Sequence, residues 1–158
     1  MAITNGYATL NELKASLGIN DNVDDTRLEL AIETASREID QFCGRVFYNA
    51  GTATRLFAAD TEWLTAIDDL ITLTKLETSG DADGVFDQEW AATDYQLEPL
   101  NGVVGGTSGW PKTKIRAVGG ILFPELWRRA TIRITGTWGW AAVPTAIKTA
   151  TLLQAARI

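Results

Sequence analysis

The sequence contains no histidine. That absence removes the Ser-His-Asp and Cys-His arrangements, and with them the commonest zinc ligand. One cysteine is present, Cys43. It cannot form an internal disulfide, which fits a reducing compartment. Placed at the end of an apolar stripe, Cys43 reads as a buried, inert thiol. There is no Gly-x-x-x-x-Gly-Lys loop and no Gly-x-Gly-x-x-Gly fingerprint, so neither familiar phosphate cradle is available. No run approaches the roughly 18–20 apolar residues of a membrane span, and Met1–Gly6 has neither the basic start nor the apolar run of a secretory signal. These gaps predict a protein without catalytic residues, metal ligands or cofactor, and without a membrane partner.

Basic residues are also scarce. Fourteen Lys and Arg face twenty Asp and Glu, a net charge of −6, and Arg128-Arg129 is the one adjacent basic pair. Tight binding to a phosphate backbone draws on clustered cations and counterion release, so conventional DNA or RNA binding is disfavoured. An acidic surface can still lie beside DNA without gripping it.

What remains is an ordinary globular inventory of 158 residues, 46% apolar and 22% charged, a one-domain length covering 1–158. Thr9 and Glu12 form a capping-box pattern ahead of Leu10, Leu13 and Leu17, and Gly18 supplies a stop. Asp24 or Asp25 caps a second helix, in which Leu28, Ile32, Ala35, Ile39 and Phe42 recur as a core stripe until Gly44. Glu29, Glu33, Glu38 and Asp40 against Arg37 make this helix unfit for a phosphate-lined groove. From Arg45 the texture becomes β-like, with strands predicted at 54–58, 70–78, 94–98, 113–118 and 130–137. Asp83-Gly84 reads as a hairpin turn, and Asn101–Gly109, rich in Gly, Ser and Thr, as a mobile loop. Pro144 opens a third helix, with Ile147, Ala150, Leu153 and Gln154 on one side. The fold class is therefore α+β: a helical frame (7–44 and 143–158) with a β-rich insert (45–142) between helices two and three.

Three weaker constellations compete. Ser79, Asp81, Asp83 and Gly84 fit the first positions of a calcium loop, but the twelfth is Trp90 instead of a glutamate, and the flanks are strands. Asp68, Asp69 and Glu98 are carboxylates of the type a cell-wall glycosidase uses, although adjacent strand residues point to opposite faces. Trp138 and Trp140 share a strand face as a carbohydrate-binding platform would, or fill a core.

Four stretches then carry a resemblance: Tyr7–Ile19 (YATLNELKASLGI), Leu30–Arg45 (LAIETASREIDQFCGR), Asp94–Asn101 (DYQLEPLN) and Thr135–Pro144 (TGTWGWAAVP). In this order they resemble the head–tail connector (adaptor, or head-completion) proteins of long-tailed phages and related prophage or gene-transfer particles. The resemblance implies a virion protein of the capsid–tail junction, assembled in the host cytoplasm. It implies a ring, commonly of twelve identical subunits, docked on the portal protein, passing genomic DNA without sequence-specific binding and receiving a stopper or tail completion protein. It places portal contacts at Leu152, Leu153, Arg157 and Ile158, and tail-side or subunit contacts in loops containing Asp81, Asp83, Gly84, Asn101, Gly105 and Gly106. Members of the family often continue with a basic tail where this sequence stops inside the predicted helix. Either the chain is shortened or its portal contact is built differently.

Overall fold

The computed structural model describes residues 3–126 and 129–158. Arg128, half of the basic pair, lies outside them. The architecture is α+β, with two N-terminal helices, a β-rich middle and a C-terminal helix. The chain divides into two compact units: one formed by the residues up to Tyr48 with Ala142–Ile158, the other by Asn49–Ala141.

The helical unit begins with α1 (Leu10–Leu17). Thr9 accepts from the Glu12 N–H while the Glu12 carboxylate accepts from the Thr9 N–H, and Gly18 closes the helix at φ 70°. In α2 (Asp25–Cys43), Asp24 is the N-cap without using its side chain, and Gly44 at φ 64° ends the helix. The start of α2 is fastened to α1 by the ion pair of Lys14 with Asp25 at 2.6 Å. α3 (Thr145–Ala155) starts one residue after Pro144. The three helices meet around Ala8, Leu13, Ala31, Ile32, Ala35 and Ala155, with Leu28 and Leu152 packed on the edge. Small residues dominate this seam and allow close approach of the backbones. Ser36 and Thr151, also buried, return their hydroxyls to the carbonyls of Ile32 and Ile147.

Two expectations for α2 are corrected. Ile32 and Ala35 are fully buried, and Ile39 is half-buried, but Phe42 is 93% exposed. Cys43 is exposed as well, not a buried thiol. The stripe keeps its direction; the cover does not continue, and all of 41–44 lies open. On α3 the buried residues are Thr151 and Ala155, so Ala150 and Leu153 face outward.

The β-rich unit is one antiparallel sheet in the order β1-β8-β2-β7-β4, with β3 added beside β2. Its strands are β1 (Asn49–Phe57), β2 (Leu64–Thr78), β3 (Gln88–Glu89), β4 (Tyr95–Glu98), β7 (Lys112–Ala117) and β8 (Ile132–Gly139). β2 pairs with β7 through Leu64–Leu70 and with β8 through Leu70–Thr78. One face buries Ile67, Leu70, Leu76, Ile115, Ile132, Ile134 and Trp138, closed by Trp90 stacked on Phe123 at 4.6 Å. Asn101–Gly109 is not an irregular loop. It holds a short hairpin, β5 (Val103–Val104) and β6 (Thr107–Ser108), turned by Gly105 and Gly106 at φ 57° and 80°.

An unpaired carboxylate buried at Ile32 costs at least about 3 kcal/mol. Ile32→Asp is therefore expected to abolish the cooperative melt, whereas Ile39→Asp, at a half-buried site, melts earlier but still cooperatively. Thermal denaturation followed by circular dichroism checks both; a near-native melt for Ile32→Asp would refute the packing described.

Candidate assembly interface

In the helical unit, Leu153 and Ile158 are each 62% exposed and Arg157 is exposed, whereas Leu152 is packed against the helical core. Polar ties hold the helix that carries them. Lys148 donates to Glu12 at 2.8 Å and Gln154 donates to Glu38 at 2.8 Å. The Lys148 bond, with the Thr9 N–H, draws the Glu12 carboxyl down to about 2. Three of the four residues expected at the portal contact are thus exposed at the end of the chain, and the fourth, Leu152, is half-buried.

A second polar latch closes this unit. The Tyr7 hydroxyl donates to Asp40 and accepts from the Phe47 N–H at 2.7 Å. Burial and the Asp40 bond push the Tyr7 phenol up, so it stays neutral. Arg37 lies over the Tyr7 and Tyr48 rings at 5.5 and 5.3 Å and donates to the Asn5 carbonyl at 2.9 Å.

In the β-rich unit, Asp81, Asp83 and Gly84 are exposed in the loop joining β2 to β3. Asp83 accepts from the Val85 N–H at 2.7 Å, and Gly84 takes φ 93°, the geometry of a self-capped turn. Among the described residues no group of three or more His, Cys, Asp or Glu is arranged to hold a metal ion. Asn101 at φ 59° precedes the β5–β6 hairpin, and Gly105 and Gly106 form its exposed tip. Around it Leu100, Val103 and Val104 are 57%, 43% and 41% exposed.

The carboxylates considered for glycoside hydrolysis are held apart. Asp68 pairs with Arg55 at 2.7 Å, and Asp69 accepts from the Trp140 indole at 2.9 Å. Glu98 is bonded by Arg116 at 2.6 Å, which lowers its carboxyl; a general acid needs the opposite shift. Trp138 and Trp140 are 0% and 4% exposed and so present no stacking platform. Trp138 lies against Phe57 and Trp140 against Trp110.

The sequence reading missed the main electrostatic feature of the sheet. Glu77, buried on β2, accepts two bonds of 2.8 Å from Arg133 on β8 and one of 2.9 Å from Lys75. Arg133 in turn lies over Phe86 at 4.6 Å. The bidentate Arg133 contact is the chief reason that the Glu77 carboxyl is lowered to about 2. The available signal was Arg133 in an alternating strand, but nothing local identified its partner 56 residues away.

The protein is α+β, and several of its buried or half-buried polar groups hold its elements together. Residues 7–77, from the segment before α1 to the end of β2, match the model of the phage gp6-like head-tail connector protein family. A chain from the neck of an empty gene transfer agent particle, computed with C6 symmetry, has the same fold. It gives a TM-score of 0.61 at 20% identity, over 99% of this chain and 80% of that one. No curated protein matches the sequence. The resemblance to head–tail connectors therefore holds, and the family match supports a structural connector role.

The Glu77 clamp has a defined pH signature. Its folded value of about 2 lies below the ordinary 4.5, so its stabilisation is complete above about pH 4.5 and fades as pH falls toward 2. Glu77→Gln should lower stability at pH 7 by about 2 kcal/mol and flatten the loss between pH 4.5 and 2. Glu12, shifted in the same direction, keeps part of that slope. Urea midpoints at pH 7 and pH 3 measure both effects; an unchanged pH 7 midpoint would show the clamp to be inert.

Proposed function

We propose that this chain is a connector subunit of the phage or gene-transfer virion that assembles into a ring at the capsid–tail junction. The observation that carries this reading is the match of residues 7–77 to the head-tail connector family, within an α+β frame like that of a particle neck chain. The ring, of about twelve identical copies, docks on the portal, extends the DNA channel and receives the stopper or tail completion protein. Assembly takes place in the host cytoplasm. The role is mechanical: the chain binds and positions, with no catalytic step.

Electrostatics favours this reading. Basic groups such as Lys14, Arg55, Arg116, Arg133 and Lys148 are engaged by carboxylates within the fold. With a net charge of −6, the surface repels phosphates, as a conduit for passing DNA requires. The whole chain 1–158 acts as a single connector, with the β5–β6 hairpin and the Asp81–Gly84 turn directed to tail-side or sister-subunit contacts and the end of α3 to the portal.

The test is binding to isolated portal assemblies. Wild-type protein should co-sediment with portal as a ring; strictly monomeric behaviour with no portal affinity would overturn the proposal. Removing α3 would be uninformative, because Thr151 and Ala155 are buried in the helical seam. The double variant Leu153→Asp, Arg157→Glu changes only exposed positions and should weaken portal binding by about tenfold or more. Undiminished binding would move the contact elsewhere.

A further inference from the structure

The apolar stripe of α2 runs past the end of its own cover. Phe42 is 93% exposed in the last helical turn, with Gln41, Cys43 and Gly44 exposed around it. A phenyl ring held on a helix and left open by the described residues is the form an interface anchor takes. That turn also contains no basic residue, so no side-chain cation within it offsets the partial negative charge of the helix C-terminus. Arg45, beyond the Gly44 cap, already has an interaction of its own.

The β-rich unit contains a feature of complementary shape and sign. A cleft of about 280 Å³ is lined by Leu70, Ile71, Trp110, Pro111, Lys112 and Ala141, together with Gly102 and Gly109. Of these, Leu70 and Pro111 are buried and Ala141 is exposed. The volume accommodates a phenyl ring. Among the described residues the one charged lining residue is Lys112, whose ammonium is fixed by donating to the Pro99 carbonyl at 2.7 Å. It offers a cation where the C-terminus of a helix would arrive.

We propose that Phe42 of one copy seats in the Leu70–Trp110–Ala141 cleft of a neighbouring copy, with the end of α2 directed at Lys112. Knob and cleft are different surfaces of one chain, which makes the contact head-to-tail, the type that repeats from copy to copy and closes into a ring when its rotation permits. A second copy is favoured over an unrelated partner because both halves of the contact, and their opposite charges, are in the same sequence. The contact is an anchor within a larger interface, since a stable pairing covers roughly 800 Å² per partner. The inference rests on the ring proposed above and adds the residues that build it.

The test uses full-length wild type, Phe42→Asp and Ala141→Trp, each followed by sedimentation velocity alone and with isolated portal assemblies. Both substitutions are at exposed positions, so the thermal melts should stay near wild type; if the tryptophan variant melts early, Ala141→Leu fills the same space. Each variant alone should lose self-association by about tenfold or more. An equimolar mixture should recover pairs and stop there, because the intact knob of the Ala141→Trp chain fits the intact cleft of the Phe42→Asp chain while the reverse contact is spoiled on both sides. Wild type that assembles while Phe42→Asp assembles equally well overturns this inference and leaves the ring standing. Loss on Phe42→Asp with none on Ala141→Trp overturns the cleft as its receptor. Wild type that neither self-associates nor binds portal removes the ring itself.

Discussion

β2 carries more of this structure than any other element. It runs for fifteen residues, Leu64–Thr78, and works as two strands in sequence, the first half laddered to β7 and the second to β8. β8 and β7 lie on its opposite edges, and its register is irregular between Ala66 and Leu70, Leu70 and Thr72, and Leu73 and Lys75. Such bulges bend the strand and increase its twist. The bend requires close approach from across the sheet, and β8 supplies it with Gly136. A Cβ there would lie 2.5 Å from the Thr72 carbonyl oxygen and 2.7 Å from Leu70. Any side chain at 136 would push β8 off the strand that organises the core.

The same strand brings charge inside. Glu77 lies next to Leu76 and is nearly as buried. A lone carboxylate at that depth would lose more in desolvation than the sheet returns. Arg133, with its planar fork, meets both carboxylate oxygens from the adjoining strand, and Lys75 adds a third contact. The clamp therefore discriminates between registers. Sliding β8 by one residue would send Arg133 to the other face and leave Glu77 with Lys75 alone. Tyr7 performs a comparable task in the helical unit, where its hydroxyl bridges Asp40 near the end of α2 to the Phe47 backbone. In both units a polar contact between distant parts of the sequence fixes an arrangement that apolar packing alone would leave loosely specified.

Local chemistry made part of this legible. Thr9 with Glu12, and Gly18 and Gly44 at left-handed φ, define helix ends through groups a few residues apart, so their spacing alone reveals them. Ile132 and Ile134 alternate with Arg133 and Thr135, and the isoleucines are the buried pair. The first half of β2 was hidden because Asp68-Asp69 interrupts the apolar pattern; Arg55 and the Trp140 indole, both remote in sequence, are what make those carboxylates acceptable in a strand. Phe42 was assigned to the core for a similar reason. Periodicity gives the direction in which a residue points, not whether another element extends far enough to meet it. The open end of α3 came from family likeness, and the cleft beside Trp110 had no signal at all, since its lining is gathered from four separate stretches of chain.

That failure at Phe42 bears on what kind of protein this is. An isolated soluble domain gains nothing from a helix whose apolar stripe outruns its cover, because an exposed phenyl ring invites association. The ring subunit proposed above would be under a different constraint: part of its core would be completed by the next chain. Its internal ion pairs then serve a second purpose. Glu12, Glu77 and Glu98 are each held by a cation of the same chain, so those charges stay committed within the subunit, and an apolar contact such as the one proposed for Phe42 is weakened little by ionic strength. In the ring proposed above, such a joint would hold against the passage of a dense polyanion and its counterions.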